Sequence, residues 1–312
     1  MDHITLNKQK KFSKSRMRSL IFCLCVIAVP TVQFGIFYIG VNINSLIMAF
    51  QSYEIDPQTN IGLYAFSGFD NFKTIWTELR YGNELPTALR NSFVLFLCKV
   101  GVGTTLALFF SLYIFKKKFL SKTFRVILFA PSILPAIVTV TMYRYFVDVA
   151  VPGMFVKMNG MGLLSNFDTR MATLVFYALW ISFGTQILMY SGSMNAIDIS
   201  IMEAAKLDGC NAFQEFFHIV FKLIWPTFVT FMVTNMAAFF IDQMNLFSFY
   251  AATADTRYIT LGYMLFRDTR NSNVTLAEFP RLAAYSIVLT CIAAPITIGT
   301  RKLLEKLGPR SV

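Results

Sequence analysis

Apolar residues along this chain gather in six long runs separated by polar stretches of unequal length. The runs cover 20–48, 88–115, 124–148, 171–194, 224–250 and 282–300. A helix needs roughly 20 apolar residues to cross the hydrocarbon core of a bilayer. In lipid the backbone must satisfy its own hydrogen bonds, so runs of this length predict helices. The pattern predicts an all-α membrane protein with six transmembrane helices. Pro131 and Pro135 interrupt the third run and predict a local kink there. The second run carries Gly101, Gly103, Thr104, Ala107 and Ser111, small residues that let helix backbones approach closely.

The polar stretch 195–223 has a pattern of its own. Ile201, Ala204, Ala205 and Leu207 recur near one face at helical spacing. Asp208-Gly209 is a break signal, because Gly supplies the left-handed residue that a helix end favours. Asn211 then predicts an N-cap, with Gln214 three residues on to complete a capping box. Phe213, Phe216, Phe217 and Val220 follow at i, i+3, i+4 and i+7, predicting an amphipathic helix that leads into the fifth span. In the stretch between the first two spans, Gly68-Phe69-Asp70-Asn71-Phe72 precedes a short helical segment that Asp70 is suited to cap.

The loop carries a family resemblance. Glu203, Ala204, Ala205, Asp208, Gly209, Phe216, Ile219 and Pro226 resemble the EAA motif of ABC importer permeases. Phe221-Lys222 stands where the family pattern has Leu-Pro, and Pro226 is kept. The Gly-Phe-x-Asn-Phe element is similar to one between the first two spans of carbohydrate permeases of the MalF/UgpA type. The resemblance implies a type I ABC importer permease fold with a coupling loop at 195–223 that docks on a cytoplasmic ATPase. Its coupling residues would be Glu203, Ala204, Ala205, Asp208, Gly209, Phe213 and Phe216. It also implies four partners beyond membrane lipid: a second related permease, two ATPase copies and an extracytoplasmic solute-binding protein. ATP and Mg would be used by the ATPase, with no cofactor bound by this chain. The alternative reading of the loop is an ordinary turn between two spans.

Charge sets the orientation. With the amino terminus inside, cytoplasmic segments hold 17 of the 28 Lys and Arg residues. They include the tail 1–19, Lys116 to Arg125, and the carboxy-terminal segment 301–312. The positive-inside rule then places both termini in the cytoplasm. The formal net charge of +11 falls on the cytoplasmic side, which removes the need for a nucleic-acid partner. A first apolar run of this length is expected to be a signal anchor in a bacterial cytoplasmic membrane.

Catalytic chemistry finds little to work with. The chain has two histidines, His3 and His218, so neither a His-based metal site nor a Ser-His-Asp set is expected. No Gly-Lys dipeptide exists, so there is no P-loop and any ATP hydrolysis must come from another chain. The five cysteines do not suggest a disulfide framework. The chain is expected to be a transport subunit and not an enzyme.

Four charges sit within the apolar runs: Lys99, Arg144, Asp148 and Asp242. Such residues are costly in a membrane and usually paired or functional. Arg144 and Asp148 are at i, i+4, which favours a local pair. Lys99 and Asp242 lie at comparable depth and are candidates to pair across helices. Sugar recognition calls for hydroxyl-matching polar groups and flat aromatic faces. Trp180, Ser182, Thr185 and Gln186 cluster in the fourth span, and Asn235, Asp242 and Asn245 fall on roughly one face of the fifth. In MalF-like permeases sugar contacts come from these two helices, so the resemblance makes these residues the candidate substrate path. Each also reads as an ordinary interhelical hydrogen bonder, worth roughly 0.6 kcal/mol. The rivals are an ion-gradient transporter, a membrane-embedded enzyme, and an ABC permease for glycerol phosphate or a polyol.

Overall fold

A computed structural model of the protein describes residues 14–55, 62–154, 161–270 and 276–309. Residues 1–13 of the basic tail, together with Lys157 and Arg310, lie outside the described residues. Four helices are long and apolar enough to cross a membrane unbroken: Met17–Met48, Glu84–Phe115, Phe167–Asn195 and Phe279–Leu307. Two more spans are bent pairs. Ser121–Ile133 and Ala136–Met154 form the third, bent by 108° at Leu134-Pro135, where the proline signal predicted a kink. Ala212–Leu223 and Trp225–Tyr250 meet at 71° and form the fifth with its cytoplasmic approach.

The fold is helical apart from one feature that the hydropathy pattern does not reveal. Gln51–Ile55 pairs antiparallel with Gly62–Phe66, outside the first span. The Gly-Phe-x-Asn-Phe element anchors this pair. Gly68 takes φ +64°, a left-handed conformation that glycine adopts without a Cβ penalty. Asn71 Nδ2 donates to the carbonyls of Ala49 and Gln51 at 2.9 and 2.8 Å. The rings of Phe69 and Phe72 lie 5.4 and 5.2 Å from that of Phe50. The predicted cap at Asp70 does not form. Asp70 is already the first helical residue of Asp70–Tyr81, and its carboxylate pairs with Lys73 at 2.8 Å instead.

Two buried clusters divide the bundle by depth. An outer cluster includes Leu95, Tyr143, Tyr177, Phe240 and Leu261. An inner cluster holds Ile114, Ile187, Tyr190, Met202, Phe216 and Val220, and so includes the loop between the fourth and fifth spans. The first span stands apart. None of its most apolar stretch is buried against the rest of the chain, though its last turns, Val41–Met48, pack on the sixth span.

Candidate functional site

The cytoplasmic loop folds as its punctuation residues dictate. Ile199–Leu207 is a helix, and Asp198 caps it by accepting the Ser200 N–H at 2.9 Å. That N–H, helped by the Ser200 hydroxyl, holds the Asp198 carboxyl below the usual carboxylate range. The helix ends in a Schellman arrangement. Cys210 N–H bonds Ala205 O at 3.0 Å, Gly209 N–H bonds Lys206 O at 3.1 Å, and Gly209 sits at φ +78°. Asn211 and Gln214 form the capping box.

The candidate coupling residues divide into two groups. Glu203, Ala204, Asp208, Gly209 and Phe213 are exposed. Ala205 is buried and Phe216 is buried inside this chain's own inner cluster, so neither presents its side chain to a partner. The buried stripe of the helix is Met202 and Ala205, whereas Ile201, Ala204 and Leu207 face out. Leu207 is 90% exposed, an apolar tip that the spacing argument had assigned to the packed face. The expectation of one continuous apolar face on the second helix also changes. Phe216 and Val220 are buried, while Phe213 and Phe217 pack against each other outside at a tilt of 48°, ring centroids 4.5 Å apart.

Sequence reasoning missed the contact that ties the loop to the bundle. Glu215 is buried, and its carboxylate pairs with Lys116 at the inner end of the second span. The two residues are 99 positions apart, which no local pattern signals. Glu215 Oε1 has no hydrogen-bond partner among the described residues.

The second site is a cleft of about 370 Å³ among the second, fourth and fifth spans. Lys99, Ser182, Asp242 and Asn245 line it, with Gln243 and Met244. Within the fifth span the helix from Trp225 stops at Ile241, and a short helix resumes at Leu246. The residues between do not continue a helical face, which corrects the expectation that Asp242 and Asn245 share one with Asn235. Asn245 is left-handed at φ +53°. Asp242 holds the break together. Its Oδ1 accepts the Met244 N–H at 2.8 Å, its main-chain oxygen accepts the Thr260 hydroxyl at 2.7 Å, and its Oδ2 pairs with Lys99. Lys99 opens a π-helical turn, Lys99–Gly103, a feature frequent at functional sites. Gly262 packs so close to the Ile241 carbonyl that any Cβ there would collide with it.

Below the cleft lies a buried polar level. The Tyr190 and Phe231 rings are 5.0 Å apart across the fourth and fifth spans. One turn outward on each antiparallel helix, about 6 Å, brings Gln186 and Asn235 to the same depth. Both are buried, and Gln186 Oε1, Asn235 Nδ2 and the Tyr190 hydroxyl have no partner among the described residues. Of the other candidate path residues, Trp180 packs with Tyr143 and Tyr177, at centroid distances of 6.2 and 6.3 Å. Thr185 is exposed on a different face from buried Gln186. Neither lines the cleft.

The expected Arg144–Asp148 pair is absent. Arg144 donates to Phe249 O at 3.1 Å, and Asp148 accepts the Leu164 N–H at 2.9 Å. A π-helical turn from Phe146 to Ala150 changes the register between them.

Residues 100–311 match the family described as the binding-protein-dependent transport system inner membrane component. The match begins one residue after Lys99 and takes in the loop and the rest of the cleft. The chain is 27% identical to the sn-glycerol-3-phosphate transport system permease protein UgpA of Rhizobium meliloti, over 77% of this chain and 81% of that protein. It is 23% identical to the glucose import system permease protein GlcT of Saccharolobus solfataricus, over 88% and 93%. Among solved structures it resembles a chain of a bacterial ABC transporter involved in import of the acidic polysaccharide alginate. The TM-score is 0.72 at 17% identity, covering 91% of this chain and 96% of that one. The alginate transporter in complex with its alginate pentasaccharide-bound periplasmic protein gives a TM-score of 0.73 at 18% identity, over 94% and 98%. With more than half its length matched and the permease fold in place, the chain belongs to the inner membrane components of binding-protein-dependent transport systems, which are transport subunits of ABC importers and not enzymes.

Proposed function

We propose that this permease conducts an uncharged carbohydrate through the bacterial cytoplasmic membrane by alternating access. Its partners would be a second related permease, two ATPase copies and a solute-binding protein. The observation that carries the substrate class is the electrostatic balance of the cleft. Lys99 and Asp242 are the ionisable residues lining it, and they neutralise each other. A free cation, which an anionic substrate would require, is not left over among the described residues there. What remains is hydroxyl and amide chemistry: Ser182, Gln243 and Asn245 above, Gln186 and Asn235 below. Unpaired buried amides are costly in a low-dielectric interior, about 1–3 kcal/mol each. A passing sugar would satisfy them with its hydroxyls. The GlcT relative imports glucose by name, and a relative 26% identical over 62% of this chain is a probable starch degradation products permease. The UgpA relative keeps glycerol phosphate as the competing substrate.

On the cytoplasmic side, Glu203, Ala204, Lys206, Leu207, Asp208 and Phe213 present a mixed charged and apolar surface suited to an ATPase cleft. The test is uptake by the reconstituted complex with its solute-binding protein, comparing a labelled neutral oligosaccharide with glycerol 3-phosphate. Gln186→Leu and Asn235→Leu should each lower sugar uptake at least tenfold while the complex still co-purifies. Wild-type uptake in both variants, or a clear preference for glycerol 3-phosphate, overturns the proposal.

A further inference from the structure

The turn between the second and third spans makes a second kind of site. Lys117, Lys118, Lys122 and Arg125 converge with Ser121 and Thr123 on a cleft of about 520 Å³ at the cytoplasmic ends of the spans. No carboxylate lines it. Lys116, in the same run, is spoken for by Glu215, but the other four cations form no ion pair with any described residue. The positive-inside rule explains the sign of these charges. It does not explain why four of them should share one concavity, where like charges repel.

The backbone is held in that shape. Lys117 and Leu120 both take left-handed conformations, φ +48° and +56°, which non-glycine residues seldom adopt. The Tyr113 hydroxyl fixes the turn by donating to Phe119 O at 2.7 Å. The helix that follows, Ser121–Ile133, has no side-chain cap; Ser121 N–H bonds Lys118 O at 3.0 Å, which leaves the next N–H groups, of Lys122 and Thr123, for an acceptor at the same spot.

The surroundings choose the occupant. Phe119 is 82% exposed, and Val126 and Ile127, one turn up the third span, are 67% and 62% exposed. Exposed apolar side chains thus flank the cationic cleft at the cytoplasmic end of the third span. A soluble anion would use the cleft alone, whereas an anionic phospholipid would use both.

We propose that this cleft binds the phosphodiester headgroup of an anionic phospholipid from the cytoplasmic leaflet, with an acyl chain along Val126 and Ile127. The Lys116–Glu215 pair joins the same turn to the loop helix. The bound lipid would therefore brace the base on which the loop rests.

The test uses the assembled transporter purified in mild detergent from its native membrane. Native mass spectrometry counts retained phosphatidylglycerol and cardiolipin in the wild type, in K117Q/K118Q/K122Q/R125Q, and in K302Q/K306Q as a charge-loss control elsewhere on the same side. The expected result is at least a fivefold loss of bound anionic lipid in the quadruple variant and little change in the control. Addition of millimolar glycerophosphate should leave the wild-type lipid in place, because it lacks the acyl chain. Equal lipid loss in both variants would reduce the cleft to general surface charge and overturn the proposal. So would unchanged lipid, displacement by glycerophosphate, or loss of the ATPase with lipid retained, the last marking a protein-docking face. Vesicles of defined composition supply a second reading. Wild-type uptake should fall when phosphatidylglycerol is replaced by phosphatidylcholine, and the quadruple variant should lose that dependence. An equal dependence in both would also overturn it.

Discussion

Breaking the Lys99–Asp242 pair from either side should have unequal consequences. The side chains are 15% and 20% exposed, so the pair is shielded but borders an open cleft. At an effective dielectric near 20, unit charges about 4 Å apart attract by about 4 kcal/mol. Desolvation offsets much of that gain, but removing one partner alone strands the other, at about 3–5 kcal/mol when fully buried. Asp242→Ala strands Lys99 and also removes the acceptor for the Met244 N–H, so its cost should reach about 3–5 kcal/mol. Lys99→Met leaves Asp242 with that N–H and with cleft water, so about 1–3 kcal/mol is expected. In Lys99→Met/Asp242→Asn the amide oxygen can still accept the Met244 N–H and no charge is stranded. The double variant should lie within about 1 kcal/mol of wild type, far below the sum of the two single costs, about 4–8 kcal/mol. Reversible unfolding of the purified complex in graded SDS measures all three. Equal costs for the two single variants, or simple additivity in the double, would refute the account of Asp242 as both ion-pair partner and clasp of the broken helix.

Two further expectations follow from the loop. Gly209→Val should strain the turn by roughly 1–3 kcal/mol, purely through the backbone, because nothing lies within 4 Å of a Cβ placed there. Gly209→Asn should be milder, and co-purification should report the ATPase lost from the first variant before the second. Glu215→Leu should cost about 3–5 kcal/mol by stranding Lys116, and Lys116→Met/Glu215→Leu should recover most of it in the same unfolding assay. Failure of the double variant to recover would mean that Glu215 matters for another reason.

The parts of this fold legible in the sequence are those written in local chemistry. Apolar length marks the spans, Pro135 marks the bend of the third, and Asp208-Gly209 with Asn211 and Gln214 marks the loop's helix-break-helix shape. Where the sequence misleads, a distant group has overruled a local pattern. Arg144 and Asp148 have ideal same-helix spacing, yet a π turn and two main-chain partners separate them. Asp242 to Asn245 contains neither Gly nor Pro, so nothing local announces a break. Lys99, Thr260 and Gly262 impose it from other parts of the chain. Equal depth made Lys99 and Asp242 candidates to pair, but the sequence does not show that their faces meet; the structure brings them together. Glu215 escaped notice since nothing in its neighbourhood distinguishes it from a solvated loop acid.

The division of the core gives these details a common mechanical sense. The inner cluster carries the loop residues Met202 and Phe216 together with Ile187 and Tyr190 of the fourth span, so displacement of the loop moves the cytoplasmic half of the bundle with it. The outer cluster holds the Asp70–Tyr81 helix, the outer ends of the spans and the segment from Tyr258 to Met264. Asn91 ties that segment to the second span by donating to the carbonyls of Arg257 and Ile259, each at 2.9 Å. Between the two clusters lies the level of Gln186 and Asn235, where buried amide atoms lack partners. Packed cores transmit force as rigid bodies, and motion concentrates where the bonds between them are fewest. On the path proposed above, this level of unpaired amides is the place where a polyhydroxyl substrate would gain most by passing. The same desolvated groups would then serve both a joint between the two clusters and the path. This predicts that filling the level with apolar side chains would stiffen the joint and close the path together.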